Sequence, residues 1–113
     1  MDRNREKLQT LYSQMVIIMR AKKNFIVIAY DISDDRRRSH VVKLLEKVGL
    51  RINFSVFECL LTDIQYIKVQ QAISKEIKPK EDSVVYYPIC LECYTKIVYQ
   101  PQHKRKFEKV SVV

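Results

Sequence analysis

One glycine (Gly49) and three prolines (Pro79, Pro88 and Pro101) are all that 113 residues contain. Connections must then be short, with little room for disorder. No apolar run approaches the roughly 18 residues that a membrane-crossing helix needs. The opening stretch MDRNREKLQT has neither an apolar centre nor a small-residue cleavage site. It does not read as a signal peptide, so a cytoplasmic protein is expected. Three cysteines are too few, and odd in number, for a secreted disulfide scaffold. Acid is also short: 13 Asp plus Glu stand against 21 Lys plus Arg, a formal charge of +8. On one small domain that excess favours a polyanionic partner, nucleic acid before a membrane surface. A merely solvated basic surface is the plainer alternative.

What is present is enough apolar material, 47% of residues, for one core. Leu8, Leu11, Tyr12, Met15, Ile18 and Met19 recur at spacings of three and four, which predicts an amphipathic helix over residues 3–19. Residues 1–23 are therefore read as a helical extension and residues 24–113 as the main domain. FIVIAYDI, residues 25–32, is a continuous run rich in β-branched residues and reads as a strand buried on both faces. Ser33 or Asp34 can cap the next helix, whose stripe is Val41, Leu44, Leu45 and Val48, with Gly49 as its C-terminal cap. LRINFSVFECLL holds two short strands or one bent strand, turning at Asn53, Phe54 and Ser55. Thr62 to Gln65 spells a capping box before a helix that buries Tyr66, Val69, Ile73 and Ile77 and stops at Pro79. SVVYYPIC, residues 83–90, is a strand whose Pro88 suggests a sheet edge or a strand end. KIVYQ (96–100) and KVSVV (109–113) are weaker strand candidates. The order β-α-β-β-α-β predicts an α+β, ferredoxin-like sandwich.

The chemistry gathers where the first strand ends. Asp31 stands at the end of a central strand, where a dry, unpaired carboxylate would be costly. It must be solvated, paired with Arg36, Arg37 or Arg38, used as a helix cap, or bound to a metal. Mg²⁺ is commonly held by one or two carboxylates plus waters and phosphate oxygens. One Asp per chain is not an active site, but two copies meeting at a dimer axis could be. Three successive helical residues span about 200° of arc, so the arginines cannot all face one ligand. Cations here oppose the helix dipole, which points to phosphate contact. Pairing with Asp34 and Asp35 is the alternative.

FIVIAYDISDDRRR, a helix ending in KVGLRINFSVFE, then CLLT and DSVVYYPIC occur in that order. Together they resemble the small CRISPR-associated adaptation proteins, the second of the two universal Cas families and dimeric partner of the integrase subunit. The resemblance runs from Phe25 to Ile89. It implies the ferredoxin-like fold and a homodimer whose last strands exchange, a role that KVSVV fits. It implies that Asp31 is the metal ligand, facing its twofold mate, with Mg²⁺ (or Mn²⁺) shared between them. Tyr30, Arg38, Arg51 and Phe57 fall where the family places residues that support nuclease activity. Ser55 and Glu58 lie within its Ser-Val-Phe-Glu motif without an assigned role. Asn53 departs from the usual glutamine, and His40 from a further basic residue. Residues 1–18 precede the usual start of the family. The implied function is spacer acquisition: binding duplex DNA beside the integrase subunit, with metal-dependent cleavage of single-stranded RNA or duplex DNA. A toxin-type endoribonuclease of similar fold and a non-catalytic DNA scaffold are the alternatives.

Lesser signals remain. Arg36, Arg37, Arg38, Arg51, Lys104, Arg105 and Lys106 are the candidate nucleic-acid contacts. Cys90 and Cys93 form a C-x-x-C pair, two ligands where structural zinc needs four, and packed free thiols are expected instead. No thioredoxin-like helix start is expected after them. Tyr86, Tyr87, Tyr94 and Tyr99 read as core and dimer packing.

Overall fold

The computed structural model describes residues 22–101. The expected helix over 3–19, the basic residues Lys104, Arg105 and Lys106, and the strand over 109–113 lie outside the described residues.

Strand β1 (Asn24–Asp31) takes the apolar run. Helix α1 (Asp35–Glu46) follows, then the hairpin of β2 (Gly49–Asn53) and β3 (Val56–Leu61). Helix α2 (Asp63–Glu76), β4 (Ser83–Ile89) and the short α3 (Leu91–Thr95) complete the described chain. The sheet order is β2-β3-β1-β4, antiparallel throughout. This is the ferredoxin-like arrangement, with β1 central and Pro88 on edge strand β4 as its missing N–H requires.

Alternation along the strands decides what each face does. Ile26, Ile28 and Tyr30 of β1 and Phe57, Cys59 and Leu61 of β3 pack under Val41 and Leu45 of α1 and Val69 and Ile73 of α2. The helices are begun by side chains. Asp34 accepts from the Arg37 N–H at 2.9 Å. Thr62 and Gln65 form the expected capping box, with bonds of 3.2 and 2.9 Å. Burial of the other face is only partial. There Phe25 meets Tyr94 of α3, ring centroids 4.7 Å apart, with Val27, Leu60, Ile89 and Ile97 around them.

Three expectations are corrected. Gly49 does not cap α1, which Lys47 ends; it opens β2. A Cβ there would lie 2.4 Å from Cys59 Sγ and 2.7 Å from the Glu58 carbonyl oxygen, so close approach to β3 is what requires glycine. Residues 96–100 form no strand. Ile97 packs by Phe25, and the Tyr99 hydroxyl donates to Glu58 Oε2 at 2.5 Å. Tyr94 lies on a helix, not a final strand. Among the described residues no helix is long and apolar enough to cross a membrane.

Candidate active site

Asp31 is the last residue of β1, in register with Ser83 of β4, and is exposed. Among the described residues it makes no ion pair. Pairing with an arginine and helix capping, the two structural alternatives for this carboxylate, are therefore not what the fold uses. Asp34 is the cap, and its carboxyl is held below the ordinary value chiefly by the Arg37 N–H. Asp35 pairs with Arg38.

The three arginines diverge, as helical geometry requires. Arg36 is exposed, and its side chain bonds to no described residue. Arg37 turns back to the entry of β4. Its Nε donates to Asp82 Oδ2 at 2.7 Å, and its Nη2 to Asp82 Oδ1 at 3.1 Å and Glu81 Oε2 at 3.0 Å. The Arg38 Nη1 donates to the carbonyls of Ile32 and Ser33 at 3.0 and 3.3 Å, fixing the link that follows Asp31. Two of the three expected phosphate contacts are thus committed to internal carboxylates and carbonyls.

Tyr30, Arg51 and Phe57 do come together, but through the helix-covered side of the sheet. Tyr30 Oη donates to the Phe54 carbonyl at 2.6 Å. Arg51 Nη2 donates to the same carbonyl at 2.7 Å and to Tyr30 Oη at 3.5 Å. The Phe57 ring lies 6.4 Å from that of Tyr30 and 6.0 Å from the Arg51 guanidinium carbon. These groups brace the β2–β3 turn. Because side chains alternate, Tyr30 points to the core while Asp31 points to the opposite face. Tyr30, Arg38, Arg51 and Phe57 thus gather around the two connections flanking Asp31, and none of them bonds to its carboxylate among the described residues.

Sequence reasoning gave no role to Asp82, whose buried carboxylate anchors Arg37. It stood in the sequence only as the first residue of DSVVYYPIC, one of the stretches that carry the family resemblance. Glu58 is also buried, beneath Tyr99. Cys59 is buried, and burial pushes its thiol up to about 12. Cys90 and Cys93 are exposed rather than packed, and a helix does start after Cys90. The Cys93 N–H donates to Cys90 Sγ at 3.3 Å, which with the Cys93 thiol lowers the Cys90 pKa.

Among the described residues no three His, Cys, Asp or Glu side chains gather as a metal site. Asp31 can be one oxygen ligand for a hard divalent cation, which keeps much of its water. Among the described residues the chain supplies that ligand once.

The family model for CRISPR associated protein Cas2 matches residues 24–97. A Synechocystis protein named CRISPR-associated endoribonuclease Cas2 3 is 42% identical over 71 residues, 63% of this chain and 77% of that protein. The crystal structure of Streptococcus pyogenes Cas2 at pH 6.5 superposes with a TM-score of 0.60 at 26% identity, covering 65% of this chain and 94% of that one. A chain of a partial Cas6-RT-Cas1–Cas2 complex has a TM-score of 0.61 at 24% identity, covering 70% and 92%, a likeness of fold. With its strand order, its strand-end acid and this match over residues 24–97, the chain belongs to the CRISPR-associated protein Cas2 family.

Proposed function

We propose that this chain is a CRISPR adaptation subunit that binds duplex DNA as a homodimer alongside the integrase subunit. We further propose that it hydrolyses phosphodiesters, in single-stranded RNA or in DNA, at a site made by Asp31 of two copies. The observation that carries the second part is the exposed Asp31 carboxylate at the end of the central strand, without an ion pair among the described residues. The relatives named endoribonucleases support a nuclease, and the fold shared with a chain of the partial Cas6-RT-Cas1–Cas2 complex supports an integrase partner. The charge of +8 supports a nucleic-acid ligand.

A divalent cation such as Mg²⁺ or Mn²⁺, when held there, supplies Lewis-acid polarisation of the scissile phosphate. Asp31 provides the anionic oxygen that retains it. Arg36, exposed one turn beyond, contributes positive charge toward the phosphate backbone. Arg38 keeps the Ile32–Ser33 link, and so Asp31, in place through its carbonyl contacts. One carboxylate per chain also supports a second reading, a scaffold that binds duplex without cutting it.

The test is cleavage of labelled duplex DNA and single-stranded RNA by the purified protein, with Mg²⁺ or with chelator, beside Asp31→Ala. Binding is followed in parallel. Metal-dependent cutting that disappears in the variant is expected, and the preferred substrate identifies the reaction. Tight duplex binding without cutting, unchanged by Asp31→Ala, would sink the nuclease and leave the scaffold.

A further inference from the structure

Phe54 is 85% exposed at the tip of the β2–β3 turn. Its backbone is nevertheless fully tied down. The carbonyl accepts from Tyr30 Oη and Arg51 Nη2, and the N–H donates to Asn53 Oδ1 at 2.8 Å. A single exposed apolar side chain is ordinary on a protein surface, but this one stands on a turn whose backbone is bonded on both sides, so the ring is presented in a fixed place.

The setting suggests which one. The Tyr30 N–H donates to the Ser55 carbonyl at 3.0 Å, so the turn sits beside the end of β1, at the same end of the sheet as Asp31. Arg51 shares the Phe54 carbonyl and is itself exposed, as is Asn53. An exposed aromatic ring on a protein of charge +8 is the combination that holds single strands: surface cations track phosphates and the ring stacks on a base. Bases within a duplex already stack on one another, so the ring discriminates for unpaired ones. An aromatic beside an arginine also suits a protein interface; the charge of +8 favours nucleic acid, and the test separates the two.

We propose that Phe54 is a stacking platform for an unpaired base, and that its ligand is single-stranded nucleic acid or the frayed end of a duplex. This rests on the nucleic-acid-binding reading above and adds to it a preference that charge alone cannot give.

The test measures affinity of the full chain for a fluorescein-labelled single-stranded oligonucleotide and for a blunt duplex, comparing the unaltered protein with Phe54→Ala and Phe54→Trp. Phe54→Ala is expected to bind the single strand about 5- to 150-fold more weakly and the blunt duplex unchanged. Phe54→Trp is expected to keep the affinity. Its indole, the chain's only one since the sequence has no tryptophan, should be quenched by the single strand. Equal loss on both ligands, or no loss with unquenched indole, overturns the platform while leaving nucleic-acid binding intact. So does an effect of Phe54→Ala confined to association with protein. Failure of the unaltered protein to bind either ligand overturns both readings.

Discussion

Arg37 holds Asp82 with two hydrogen bonds, 2.7 Å from Nε and 3.1 Å from Nη2, across 45 residues of chain. The Asp82 carboxylate is wholly buried and also accepts the Lys78 N–H at 2.8 Å. It thereby fastens the first turn of α1 to the entry of β4.

This pair makes stability depend on acid. The Arg37 guanidinium, then the Lys78 N–H, hold the Asp82 carboxyl below its ordinary value of 3.8. The folded form thus binds its proton less readily than the unfolded chain. The stabilisation is complete above the ordinary value and lost as pH falls through the lower, native one. Thermal midpoints taken from pH 6 to pH 2 should fall in that window. Asp82→Asn should flatten the fall and lower the neutral midpoint by about 5 °C or more.

Gly49→Ala should destabilise by about 1–3 kcal/mol, because the new methyl meets both the Cys59 thiol and the Glu58 carbonyl. Removing the thiol with Cys59→Ala should not restore the loss, since the backbone oxygen stays 2.7 Å from that Cβ. Urea unfolding of the two single variants and the double variant checks this.

Tyr99→Phe should cost about 0.5–1.5 kcal/mol, the range for an ordinary hydrogen bond, because it removes a bond to the buried Glu58 side chain. Hydrogen exchange should quicken over residues 96–101 while β1 and β3 remain protected. Uniform quickening would show that the bond is not a local fastening.

Thiol labelling should modify Cys90 and Cys93 in the folded protein and leave Cys59 untouched until it unfolds. Cys90 should react first near neutral pH, because the Cys93 N–H and thiol favour its thiolate. Mass spectrometry of partly labelled protein distinguishes the sites.

Adjacent residues should give opposite phenotypes. Tyr30→Phe should lose about 0.5–1.5 kcal/mol of stability with the bond to the turn. Asp31→Asn should melt as the unaltered protein does, since its carboxylate is exposed and unpaired among the described residues. On the proposed function it should cut at least about 100-fold more slowly in Mg²⁺. Melting curves and cleavage rates on the same preparations test both.

What the sequence made legible was whatever depended on near neighbours. The apolar run of β1, the Thr62–Gln65 capping box and the bend at Phe54–Ser55 are local patterns, and each stands where expected. Gly49 was misread because its reason is a neighbouring strand, not its own helix. The partner of Arg37 lies 45 residues away, so spacing could limit where the arginines point but not find Asp82. Helix α3 escaped notice because it has five residues and begins at a thiol, a weak substitute for the usual oxygen cap. At the site, Asp31 was found from its place at a strand end. The bracing function of Tyr30 and Arg51 needed the turn carbonyl that they share.

The alternation that sends Tyr30 inward and Asp31 outward separates two kinds of inheritance. A lineage that came to need only the shape of this protein could discard its acid in one codon change and keep a working fold. A lineage that needed the acid could not so freely discard the tyrosine before it.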